Sequence, residues 1–84
     1  MLKRLPKRLR VYVEEHTREG SKMRKDLVEF LSKILSGEKV RYSAVKNLGI
    51  KYHVVKMKKL GLLITVNLDG VSYIAVSPDV IVEE

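Results

Sequence analysis

Apolar positions follow a helical period through the earlier part of this chain and give way to strand-like runs near its end. From Ser21 to Gly37, Leu27, Val28, Phe30, Leu31, Ile34 and Leu35 form a broad stripe at helical spacing. Arg24, Lys25, Glu29 and Lys33 fall mainly on the other side. This predicts a helix with Ser21 as its N-cap and Gly37 just past its end. Asp26, near the start, suits the positive end of the helix dipole. Ahead of it, Leu2, Leu5, Leu9, Tyr12 or Val13, and His16 recur as one helix face would, and Pro6 is tolerated in a first turn. Leu9, Val11 and Val13 also alternate with Arg8, Arg10 and Tyr12, which is a strand period. Helix over residues 6–19 is the favoured reading, with strand as its alternative.

Beyond Gly37 the segments shorten. Val40 and Tyr42 suit a single rung of strand. Ser43 is placed to cap a helix over residues 43–48 that buries Ala44, Val45 and Leu48. Gly49 then breaks the helix and Ile50 plugs the turn. A helix-turn-helix needs a turn residue free of Cβ strain and an apolar residue to tie its helices together. At about 100° per residue, Ile50, Val54, Met57 and Leu60 share one arc of the next helix, residues 51–60. His53 lies in the same arc, which makes it a packed side chain rather than a ligand. The opposite arc holds Lys51, Tyr52, Val55, Lys56 and Lys59.

Gly61 ends that helix. Leu62 to Val66 and Val71 to Val76 read as strands joined through Asn67–Gly70, where Asp69-Gly70 is a strong hairpin signal. Both faces of the hairpin look apolar, with Ile64 and Val66 expected on one and Leu63, Tyr73 and Ala75 on the other. A sheet solvated on one face alternates more cleanly, so the second face needs a cover: the tail Val80-Ile81-Val82, the N-terminal segment, or another subunit. Ser77-Pro78-Asp79 marks a break before that tail.

Composition adds limits. Eighty-four residues make one small domain whose stability must come from packing, since the chain has no cysteine for a disulfide or thiolate metal site. No run approaches a membrane span and no signal-peptide pattern is present, so an intracellular, cytoplasmic chain is expected. The absence of glutamine, with 32% charged residues, resembles thermophile usage.

Charge changes the picture more, because it is segregated. Residues 1–10 carry Lys3, Arg4, Lys7, Arg8 and Arg10 with no acid. Residues 39–59 carry Lys39, Arg41, Lys46, Lys51, Lys56, Lys58 and Lys59, again with no acid. Residues 60–84 reverse the sign, with Asp69, Asp79, Glu83 and Glu84 and no base. Single-sign blocks in a chain of net charge +7 suggest a side that faces a polyanion. The plainer alternative is a solvated basic surface. On the 51–60 helix, lysine reaches phosphates or guanine edges, tyrosine bonds to phosphate, and valine meets a thymine methyl.

Over residues 21–76 the order and lengths of these elements resemble the winged helix-turn-helix superfamily. Met57-Lys58-Lys59-Leu60-Gly61-Leu62-Leu63 looks like the helix-to-wing junction of many small archaeal and bacterial members. The resemblance implies an α+β fold: a three-helix helix-turn-helix core plus a β-hairpin wing. Residues 1–20 then form an extra basic N-terminal segment and residues 77–84 an apolar and acidic tail. It also implies a recognition helix at 51–60 in the DNA major groove, with helix 43–48 braced across the backbone. One departure stands out. Wings that hold DNA commonly carry arginine or lysine, whereas residues 62–76 have none and the tip carries Asp69.

The expectation is a nucleoid-associated DNA-binding regulator of transcription, acting on duplex DNA as a homodimer. Arg41, Ser43, Lys46, Lys51, Tyr52, Val55, Lys56 and Lys59 are its contacts, and Lys3, Arg4, Lys7 and Arg8 supply further phosphate contacts. The alternative is a non-catalytic adaptor subunit of a DNA- or RNA-handling complex, bound to another protein subunit through Leu63, Tyr73, Val80 and Ile81. Catalysis, a metal site and a cofactor are not expected. Glu14, Glu15 and His16 diverge on a helix, and no Gly-rich phosphate loop is present.

Overall fold

The computed structural model describes residues 2–82; Met1 and the expected acidic end of the tail, Glu83 and Glu84, lie outside the described residues. After a short 3-10 turn at Leu2–Arg4, helix α1 spans Lys7–His16. Helix, not strand, forms here because Leu5, Leu9, Tyr12 and Val13 then all point inward, and all four are buried. A fully buried leucine contributes about 1.5–3 kcal/mol relative to an exposed one. The N-terminal segment is therefore packed into the core. Helix α1 stops at His16, short of the expected residue 19, and Arg24 closes it. The Arg24 guanidinium donates to the Thr17 carbonyl at 2.8 Å, to the Glu14 carbonyl at 3.3 Å and to Thr17 Oγ1 at 2.9 Å. A cation at a helix C-terminus satisfies carbonyls that have no partner in the helix.

Helix α2 (Lys22–Leu35) begins as its sequence predicts, with Ser21 Oγ accepting from the Arg24 amide at 3.1 Å. It ends in a Schellman closure, where Glu38 N donates to Lys33 O and Gly37 N to Ile34 O. Strand β1 (Val40–Arg41) follows, then a single-turn helix α3 (Tyr42–Val45), a 3-10 turn at Lys46–Leu48, and helix α4 (Lys51–Lys59). Arg41, not Ser43, occupies the N-cap of α3, because Tyr42 is already helical, and Ser43 is exposed within the first turn. Val45 is buried as expected but Leu48 is 46% exposed. The chain tightens after Val45 towards three residues per turn, so the α-helical phase no longer applies. Gly49 adopts φ 74°, which a side chain disfavours, and Ile50 fills the turn at 1% exposure.

The sheet is antiparallel, in the order β1-β3-β2, with β2 at Leu63–Leu68 and β3 at Val71–Val76. Leu68 pairs with Val71, so the loop is Asp69-Gly70 alone. Both residues have positive φ, 51° and 80°, as a type I′ turn requires. Asn67 Oδ1 steadies it by accepting from Gly70 N at 3.1 Å. The register sets Leu63 opposite Val76, Ile64 opposite Ala75 and Val66 opposite Tyr73. Tyr73 and Ala75 therefore share the outer face with Ile64, Val66, Leu68 and Val71, not the face of Leu63. A hairpin loop of even length pairs even positions with odd ones.

The inner face, with Leu63, Ile74 and Val76, joins one buried cluster with α1, α2 and α4. The tail forms α5 (Pro78–Val82), which packs against α1 and buries Val80 at 1% exposure. The tail and α1 thus meet each other and leave the outer sheet face open. Among the described residues no helix is long and apolar enough to cross a membrane.

Candidate nucleic-acid interface

Helix α4 divides its side chains sharply. His53, Val54 and Met57 are buried, while Lys51, Tyr52 and Lys59 are exposed and Val55 and Lys56 half-buried. Lys51, Tyr52, Val55, Lys56 and Lys59 line one open depression of about 590 Å³. Tyr52 is 68% exposed, and its ring lies 5.8 Å from Lys56 Nζ, within range of a weak cation–π contact. An exposed tyrosine among lysines presents a hydroxyl, a flat ring and cationic donors on one helix turn or two.

The orientation of this face is set from behind. His53 Nδ1 and Tyr12 Oη form a buried hydrogen bond of 2.8 Å that joins α4 to α1. The two rings meet edge-on at 5.8 Å, and Tyr12 stacks on His16 at 4.0 Å. Burial holds the His53 imidazole below its ordinary pKa, helped by the neighbouring His16 and Lys56. Burial also pushes the Tyr12 phenol up to about 12, with a smaller contribution from Tyr52. Neutral forms of both groups are favoured, which suits a structural pair in the core. Sequence reasoning placed His53 in the core, but nothing in its local spacing pointed to Tyr12 as a partner, 41 positions away.

Leu60 leaves the core arc and is 51% exposed. The helix ends at Lys59, and a second Schellman closure bends the chain away: Leu62 N donates to Met57 O at 2.9 Å and Gly61 N to Lys58 O at 3.0 Å. Leu62 takes the buried position that a longer helix gives to Leu60. Lys58 lies off the exposed face, with Nζ 4.6 Å from the centre of the Tyr42 ring.

Arg41, Ser43 and Lys46 are exposed on the segment before α4. Lys3, Arg4 and Lys7 are exposed near the start of the chain, and Arg8 is half-buried beside Val11, Leu60 and Leu62. A second depression, between α2 and the segment from β1 to the turn after α3, is mixed in sign: Lys22, Asp26, Glu29, Lys33 and Glu38 line it with Phe30, Val40, Ala44 and Leu48. Of the residues expected at a protein interface, Leu63 and Val80 are buried and unavailable, whereas Tyr73 is half-buried on the outer sheet face and Ile81 is exposed. No group of three potential metal ligands occurs among the described residues. Compared with protein-family models, curated proteins and solved structures, the chain gives no match.

Proposed function

We propose that this chain is a winged-helix DNA-binding protein that regulates transcription, laying α4 in the major groove of duplex DNA. The observation that carries the reading is the single exposed face of α4 bearing Lys51, Tyr52, Val55, Lys56 and Lys59, backed by buried His53, Val54 and Met57. The element order supports it: a short helix, a turn at Gly49-Ile50, the lysine-bearing helix and an antiparallel hairpin. Arg41, Ser43 and Lys46 sit on the preceding segment, suited to the phosphate backbone, which positions a protein without specifying sequence. The base-free hairpin with Asp69 at its tip takes no part in gripping phosphate. The role is binding, with no catalytic step.

Selection from a random duplex library tests this reading. One duplex is expected to be preferred over scrambled DNA by orders of magnitude, and Tyr52→Ala or Lys56→Ala to erode that preference by about 1–3 kcal/mol where the side chain meets a base edge. Equal, weak binding to all sequences, reduced uniformly by both substitutions, overturns it.

A further inference from the structure

We infer that β2 is a homodimerisation edge, at which two copies of the chain zip their hairpins antiparallel into one continuous sheet. In the order β1-β3-β2 the strand β2 has a neighbour on one side only. Edge strands are ordinarily blunted by lysine, proline, a bulge or brevity. Here β2 has none of these: Leu63-Ile64-Thr65-Val66-Asn67-Leu68 is uncharged, free of proline and in unbroken register with β3.

The phase of its backbone groups follows from the turn. A two-residue hairpin loop makes Leu68 and Val71 a hydrogen-bonded pair, and antiparallel pairs alternate from there. Ile64, Val66 and Leu68 thus direct N–H and C=O towards β3. The bond from Ser77 N to Leu62 O, 3.0 Å, keeps the same phase beyond the strand. Leu63, Thr65 and Asn67 direct theirs the other way; Thr65 and Asn67 are exposed and form the open edge, while Leu63 is buried.

A two-fold axis that keeps outer face with outer face allows two central registers. With Thr65 opposite Thr65 of the other copy, Leu68 falls opposite Leu62, which is already buried. With Val66 opposite Val66, Ile64 falls opposite Leu68 on both sides of the axis. Those are the two large apolar residues of the strand left exposed, at 37% and 41%. The second register therefore covers what the monomer leaves open, and Thr65 exchanges backbone bonds with Asn67 of the other copy. Charge agrees with self-association at this surface. Residues 60–76 contain no lysine or arginine in a chain of net charge +7, so like charges do not meet there. In this register the exposed Ile64 and Leu68 of one copy meet Leu68 and Ile64 of the other with no lysine or arginine between them, so a second copy is the occupant the edge fits.

Mass measured in solution without DNA tests this, together with cysteine scanning in a chain that has no cysteine of its own. Wild type is expected at twice the 9.7 kDa chain mass at micromolar concentration. Ile64→Lys and Leu68→Lys, at positions already exposed, are expected to halve that mass with unchanged far-ultraviolet circular dichroism. Val66→Cys is expected to form a disulfide-linked dimer on mild oxidation, since a non-hydrogen-bonded antiparallel pair brings Cα atoms to about 4.5 Å, within disulfide reach. Thr65→Cys is expected to stay unlinked. A monomeric wild type, dimers in both lysine variants, or linkage through Thr65→Cys but not Val66→Cys overturns the inference. A dimer that ignores duplex DNA defeats the proposed function alone, and a monomer that binds one duplex selectively defeats this inference alone.

Discussion

Tyr12 and His53, on different helices, share a buried hydrogen bond of 2.8 Å that ties α4 to α1 on the side away from the lysines. The bond acts together with buried Val54 and Met57 to keep the lysine-bearing face outward. Tyr12→Phe keeps the ring but leaves His53 Nδ1 buried without a partner. A loss of about 1–3 kcal/mol is expected, read as a lower urea midpoint with unchanged m-value. An unchanged midpoint shows that the bond contributes nothing net.

Acid and alkali are expected to destabilise the chain from opposite sides of this pair. The His53 pKa is lower in the folded state, so its contribution is complete above the ordinary value of about 6.5 and is lost as pH falls below it. The Tyr12 pKa is raised from 10.0 to about 12, so its contribution is complete below pH 10.0 and is lost as pH rises towards 12. Thermal melts of wild type and His53→Asn from pH 5 to 8 check the acid limb, which the substitution is expected to flatten.

Arg24, from α2, donates to carbonyls at the C-terminal end of α1. Arg24→Ala leaves the Thr17 and Glu14 carbonyls without their donor and is expected to cost about 1.5–3 kcal/mol, the range for hydrogen bonds to charged groups. Arg24→Lys, lacking the planar fork, is expected to recover only part of that. Equilibrium denaturation of the two variants decides it, and equal midpoints for lysine and arginine contradict the fork argument.

Gly49 is expected to resist replacement for a backbone reason alone. A Cβ at that position meets nothing within 4 Å, yet φ is 74°. Gly49→Ala is therefore expected to lose about 1–2 kcal/mol, and Gly49→Asn less, because asparagine tolerates the left-handed region. Equal losses in the two variants contradict the backbone explanation.

If the proposed interface holds, its salt dependence is set by charge. About six phosphate contacts correspond to a log–log slope of about −5, and Lys59→Ala reduces the slope by about 1 if Lys59 meets a phosphate. Fluorescence anisotropy at several salt concentrations measures both. A slope near zero removes any nucleic-acid role.

Elements governed by neighbouring residues were legible in the sequence. Ser21 caps the helix it precedes, Asp69-Gly70 makes the tight turn, and Gly49-Ile50 joins α3 to α4, because each depends on a few consecutive residues. The split face of α4 was legible from its angular period. Misplaced residues sit where one geometry yields to another. Leu48 lies in a turn tightened beyond the α-helical period, and Leu60 sits at a closure that buries Leu62 instead. Tyr73 lies on the face of Ile64 and Val66, opposite to its expected one, because cross-strand parity, not apolar character, decides it. The contact between Tyr12 and His53 is tertiary and had no local signature.

The closure of α4 by Leu62 and Gly61 also has an electrostatic consequence. A helix that ends with bare carbonyls gathers cations at its negative pole. Here the Lys56, Met57 and Lys58 carbonyls already accept backbone donors from Leu60, Leu62 and Gly61. The last turn has no need of its own lysines. Those carbonyls are met by backbone donors alone, and Lys59 stays exposed to solvent at the end of the helix.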